Sequence, residues 1–175
     1  MVISMIVFIA ECYANYGFTK KLIEELGRKY RDKIEKCKNS HKMVYGRERI
    51  LKEIGKIINN IRERDAKFVA IIDFERGASR TYIEENFDLI RISELSIYIG
   101  VCKKWNNLYA VIFDPCIEEA FICRFKKEDC RNPLILRRYK RREAVNIIKQ
   151  VFRSVEARKY LDKVIDLLVE TMGIK

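Results

Sequence analysis

The chain has 175 residues, of which 49% are hydrophobic and 35% charged, and its 36 Lys and Arg outnumber 25 Asp and Glu for a formal net charge of +11. This composition excludes a disordered or membrane-embedded chain, and the length suits one domain, or one domain with a helical appendage, around a substantial core. The positive balance points to a polyanionic partner, DNA or RNA, and not to a membrane, for which no basic amphipathic anchor stands out.

Residues 2–10 (VISMIVFIA) form a short run rich in Val and Ile, the pattern of a strand buried on both faces. The run is far shorter than the roughly 20 residues of a membrane span and ends at Glu11, so a cytoplasmic protein is expected. Phe18, Leu22, Leu26, Tyr30 and Ile34 then recur at helical spacing, with Gly17 and Thr19 as start signals. The amino end of that helix falls near Glu11, where free N–H groups suit a phosphate. Residues 36–45 read as a loop with a short edge strand and contain His41, the chain's one histidine.

Gly46 opens the clearest helix, whose stripe is Ile50, Leu51, Ile54, Ile57, Ile58 and Ile61 and which stops near Asp65. A second buried-strand run, residues 68–72, ends at Asp73-Phe74-Glu75. Strand, helix, loop, helix, strand is the order of a parallel α/β sheet with right-handed crossovers. Such sheets bind ligands at the carboxyl ends of their strands, so Glu11, Asp73 and Glu75 are expected around one crevice. Hard divalent cations, Mg2+ or Mn2+, take oxygen ligands of this kind, near 2.1 Å for Mg2+.

Arg76 and Arg80 flank a small-residue loop that could meet phosphate, and residues 81–87 read as a short helix. Residues 95–102 and 108–113 are two further strand patterns, joined by Lys103-Lys104-Trp105-Asn106-Asn107 as a hairpin or close pair. Trp105 beside Lys103 and Lys104 packs on the sheet edge or stacks on a base. Asp114-Pro115 then reads as a cap and first position for a helix over 117–125, with metal binding or substrate orientation as the functional alternative for Asp114 and Glu118 as an additional acidic candidate. From residue 131 the chain turns basic: Arg137, Arg138, Lys140, Arg141 and Arg142 surround Tyr139. Two helical stripes follow, Val145, Ile148, Val151, Phe152 and then Leu161, Val164, Ile165, Leu168, Met172. They need burial against the domain or, in a homodimer, against a second copy.

Six cysteines (Cys12, Cys37, Cys102, Cys116, Cys123, Cys130) form no C-x-x-C pair, and one histidine gives zinc little support. Their pairing stays open. Glutamine is nearly absent while Ile, Lys, Glu and Arg abound, a thermophile-like balance, and intracellular disulfides occur in hyperthermophiles. No Gly-rich nucleotide fingerprint is present.

Glu11 after the first strand, Asp73-Phe74-Glu75 after a later one, and residues 113–125 (FDPCIEEAFICRF) together resemble the Toprim superfamily of primases, topoisomerase domains and OLD-type nucleases. The last segment is similar to the Asn-Pro-Cys-Phe-Glu-x-Trp stretch of small RloB-like Toprim proteins. The resemblance covers most of residues 1–125. It implies a mostly parallel Toprim-like sheet flanked by helices over residues 1–130, and the composition shift adds residues 131–175 as a basic C-terminal helical segment expected to pack on it. It also implies Glu11 as general acid/base, Asp73 and Glu75 as Mg2+ ligands, and Glu118 as the glutamate of the third segment. Cys12 stands in place of the usual Gly, Glu75 in place of the second Asp, and Asp114 in place of Asn.

The expected function is metal-dependent phosphodiester chemistry on nucleic acid, as a Toprim-type nuclease. Arg76, Arg80, Lys103, Lys104, Arg137, Arg138, Arg141 and Arg142 are the candidate nucleic-acid contacts. Cys12 and Glu75 favour the alternative, a non-catalytic basic nucleic-acid-binding or complex-forming module. A small-nucleotide-binding domain built on Gly17 is a third reading.

Overall fold

The computed structural model describes residues 2–40, 47–61 and 65–174. The first apolar run forms β1 (Ile6–Ala10), followed by α1 (Tyr13–Lys29), β2 (Cys37–Asn39), α2 (Arg47–Asn60) and β3 (Lys67–Asp73). Next come α3 (Ala78–Asn86), β4 (Phe87–Ile92), β5 (Ile97–Cys102) and β6 (Leu108–Phe113). A π-helical stretch (Glu118–Cys123) runs into a one-turn α4 (Arg124–Lys126), and α5 (Pro133–Tyr139), α6 (Ala144–Val151) and α7 (Val155–Thr171) complete the chain.

The six strands form one sheet in the order β2-β1-β3-β6-β5-β4. β1 pairs in parallel with β2 and β3, β3 in parallel with β6, and β5 runs antiparallel to both β6 and β4. This is the α/β, mostly parallel, helix-flanked architecture that the strand and helix order implies, with its C-terminal helical segment in place. The β5–β6 pairing matches the expected hairpin. β4 was not anticipated: it is an edge strand whose outward residues, such as Asp88 and Arg91, dilute the apolar signal and leave Ile90 53% exposed.

Period-two alternation sends the side chains of each strand into two cores. Phe8, Val69, Ile71, Val111 and Ile99 face α1, α6 and α7, while Phe68, Ala70, Ile72, Ala110 and Ile112 face α2 and α3. The expected stripes of α6 and α7 are buried in the first of these cores except for Val145, which is half-buried. There the Phe18 ring lies 5.1 Å from Phe113, 5.3 Å from Phe121 and 5.7 Å from Phe152, centroid to centroid, so α1, β6 and the C-terminal helices share one aromatic cluster.

Two expected helix starts are corrected. The first helix begins at Tyr13 with Cys12 as its cap, the Cys12 sulfur accepting from the Asn15 N–H at 3.5 Å, and Gly17 sits inside it. A Cβ at Gly17 would lie 3.1 Å from Val145 Cα and 3.2 Å from Ile148 Cβ, so the glycine permits close approach of α1 and α6. Asp114 does not cap the helix after Pro115, because the Ile117 N–H is taken by Asp73 Oδ1 at 2.9 Å. A disulfide joins Cys123 to Cys130 and ties the end of the π-helical stretch to the segment leading into α5. Gly46 and His41 lie outside the described residues.

Candidate functional site

β1, β3 and β6 lie side by side and point their carboxyl ends the same way. β1 stops first, with Ala10 level with Ile71, so the Asp73 N–H projects past its end. Glu11 supplies the missing acceptor: its Oε2 receives that N–H at 3.0 Å, while its own N–H donates to the Ile71 carbonyl at 3.1 Å. Asp73 in turn holds the Ile117 N–H, which fixes the start of the π-helical stretch and brings Glu118 inward. The Phe74 N–H donates to the Phe113 carbonyl at 2.8 Å and the Glu75 N–H to the Pro115 carbonyl at 2.7 Å, lacing the two loops together.

The result is a crevice with three buried carboxylates, Glu11 7%, Asp73 6% and Glu118 1% exposed. Among the described residues Glu118 Oε2 has no hydrogen-bond partner. Burial raises the Asp73 pKa well above the ordinary carboxylate value, and the negative charges of Glu118 and Glu11 add to the rise, while the Ile117 N–H opposes it. Glu118 is also raised, first by burial and further by Glu75, with the Cys116 thiol and Lys140 pulling the other way. Burial and the same carboxylates push the Cys12 and Cys116 thiols up strongly, so both stay protonated and neither is a thiolate nucleophile.

Of the expected acidic residues, the crevice gathers Glu11, Asp73 and Glu118. Glu75 is exposed at the rim with φ 51°, within electrostatic reach of Glu118. Asp114 is half-buried, its N–H donating to the Ser96 carbonyl at 2.9 Å, and its charge acts on Arg80. The Arg80 guanidinium stacks 4.2 Å from the Phe74 ring centroid and pairs with Glu84, and Arg76 is exposed beside it.

Lys103 and Lys104 belong to the β5–β6 turn, at the opposite end of the sheet from Asp73, because β5 runs against β6. Lys103 donates to the Glu84 carbonyl at 3.0 Å, and Lys104 lies 4.6 Å from the Trp105 ring centroid. Trp105 itself packs against Gly55 of α2. Arg137, Arg138, Arg141 and Arg142 are all exposed, and Lys140 between them is near enough to Glu118 to favour its charge.

Asn15 is the residue that the sequence reading missed. It is fully buried one helical turn beyond the Cys12 cap, and its side chain favours the ionised form of Asp73, yet among the described residues neither amide atom makes a hydrogen bond of normal geometry. Its spacing was the available signal, since a residue four places after Glu11 on a helix that begins at once returns to the strand end.

No protein-family model, curated protein or solved structure matches the chain. The resemblance therefore rests on Glu11, Asp73, Glu75 and residues 113–125 themselves. Among the described residues no helix is long and apolar enough to cross a membrane.

Among the described residues no three His, Cys, Asp or Glu side chains are placed to share one cation. The donor chemistry nevertheless fits Mg2+, which commonly uses one or two carboxylates and completes its shell with water and substrate phosphate. Asp73 and Glu118 are the carboxylates whose burial and mutual repulsion a cation would relieve, and the unpartnered Glu118 Oε2 is an oxygen with nothing else to bind.

Proposed function

We propose that the protein is a cytoplasmic, Mg2+- or Mn2+-dependent nuclease of Toprim type acting on DNA or RNA. The observation that carries this reading is the burial of Asp73 and Glu118 together, with Glu118 Oε2 unpartnered, where three parallel strands end. In this scheme Asp73 and Glu118 hold the ion. The ion, when bound, neutralises phosphate charge and orients a water. Glu11, anchored by the Asp73 N–H, would take the proton of the attacking water as its oxygen bonds to phosphorus and the ester oxygen leaves, to be protonated by solvent. Asn15 orients the phosphate or water through its amide, and Lys140 sets the crevice against the basic segment.

Glu75 at the rim and Cys12 at the helix cap favour a second reading, a nucleic-acid-binding module without catalysis. One experiment separates them. Asp73→Asn keeps the Oδ1 acceptor for Ile117, so circular dichroism should be unchanged, while Mg2+-dependent cleavage of nucleic acid should vanish. Cleavage at the wild-type rate by Asp73→Asn would refute the nuclease reading, and a wild-type protein that binds nucleic acid without cutting it in Mg2+ or Mn2+ would establish the second.

A further inference from the structure

Resting on that nucleic-acid reading, we propose that α6 enters the major groove of B-form duplex DNA, with the two phosphate backbones seated in basic grooves on either side of it. α6 buries one stripe, Ala144, Ile147, Ile148 and Val151, and exposes the opposite one, Asn146, Lys149, Gln150 and the following Arg153. These four follow the i, i+3, i+4, i+7 spacing of a single helix face.

A groove of about 560 Å³ runs between α5 and α6, walled by Arg137, Arg138 and Arg141. A second of about 540 Å³ lies between α1 and α6 and carries Lys20, Lys149 and Arg153. Asn146 lines both, which makes the exposed face of α6 the ridge between them. Each groove also holds carboxylate, Glu143 in the first and Glu24 in the second, and Lys21 pairs with Glu24 at 2.7 Å.

A ridge flanked by two cationic channels matches a groove bounded by two phosphate backbones. The B-DNA major groove is about 12 Å wide and admits a helix of about 10–12 Å diameter, whereas the major groove of A-form RNA is too narrow for one. Single strands call for exposed aromatic platforms, and none of the exposed large hydrophobic side chains among the described residues is aromatic. The ridge carries Asn146 and Gln150, the latter the chain's single glutamine, one turn apart. Carboxamides of this kind donate to N7 and accept from N6 of adenine in the major groove.

The test is competitive binding in EDTA, where nothing is cut, of a duplex DNA, the duplex RNA of the same sequence and the separate strands, together with selection from a randomised duplex pool. The wild type should prefer duplex DNA by about tenfold or more and enrich an adenine-containing motif. Asn146→Ala with Gln150→Ala, both on the surface, should abolish the enrichment and leave the salt slope unchanged, because phosphate contacts position and base contacts specify. Equal affinity for RNA or single strands, or the same motif enriched by the double variant, would overturn the inference while the nuclease reading stands. Absence of binding to any nucleic acid would overturn both.

Discussion

Two charged clusters in this molecule have opposite surroundings. The carboxylates of Glu11, Asp73 and Glu118 are buried at the end of the sheet, and burial, reinforced by neighbouring negative charge, makes Asp73 and Glu118 resist ionisation. The guanidinium groups of Arg137, Arg138, Arg141 and Arg142 stand in solvent on and after α5, where water and salt screen them. Burial makes ionisation of the acidic cluster a load on the fold that a proton or a cation relieves. Exposure leaves the basic cluster solvated in the free protein and accessible to a polyanion. Ligand binding should therefore be linked to folding stability at the crevice and to ionic strength at the arginines.

The largest expected effect lies on the exposed side. Replacing Arg137, Arg138, Arg141 and Arg142 with Ala should flatten the slope of log K against log salt on duplex DNA by roughly two to four units, at about −0.9 per phosphate contact. The thermal midpoint should stay within a degree or two, because the side chains removed are exposed. An unchanged slope would move the binding face to Lys103, Lys104, Arg76 and Arg80.

The buried side should respond to pH. Asp73 and Glu118 have folded-state pKa values above their unfolded ones, so above about pH 4 the native state holds protons that the unfolded chain has released. Stability should thus fall as pH rises from the ordinary carboxylate range through the raised values. Asp73→Asn should recover about 1–3 kcal/mol at pH 8 and little at pH 4, measured by urea unfolding. A variant less stable than wild type at pH 8 would contradict this account of the cluster. For the same reason, millimolar Mg2+ should raise the melting temperature more at pH 8 than at pH 5, where protons already occupy the cluster.

A smaller effect tests the frame that joins the two clusters. Gly17→Ala places a methyl 3.1 Å from the Val145 backbone, which cannot swing aside as a side-chain tip would, so it should cost about 1–3 kcal/mol and disturb α6. A stabilised Gly17→Ala protein would show that α1 and α6 have room to spare.

The sequence made the parallel part of the sheet legible because strands buried on both faces read as unbroken apolar runs, and β1, β3 and β6 are of that kind. Glu11 and Asp73 were legible as the carboxylates ending those runs. Glu75 was expected to join them because it closes the same run as Asp73 and stands at the second acidic position of the Toprim-like motif. The strand, however, ends at Asp73, and the positive φ of Glu75 turns its side chain toward solvent. Asp114 read as a helix cap because no local rule reveals that a residue 44 positions away, Asp73, holds the Ile117 N–H instead. The Glu118 carboxylate oxygen and the Asn15 amide that lack a well-formed hydrogen bond among the described residues are properties of a packed interior, and a linear pattern does not carry them.

The Cys123–Cys130 bridge closes a short loop, its cysteines seven positions apart in sequence with 5.9 Å between their Cα atoms. On one side of it the π-helical stretch carries Glu118, and on the other the chain enters α5 with its arginines. The hydrogen bond from the Tyr139 hydroxyl to Glu128 Oε2 pins α5 back onto that same loop. On the proposed nuclease reading, the bridge would act as a ruler, holding the point where a strand is cut at a constant offset from the point where it is gripped. In the oxidised protein, cleavage positions mapped on an end-labelled duplex should fall in a narrow window. With both cysteines changed to Ser the window should widen while the total amount cut stays similar, since the bridge fixes a distance and contributes no group to the crevice.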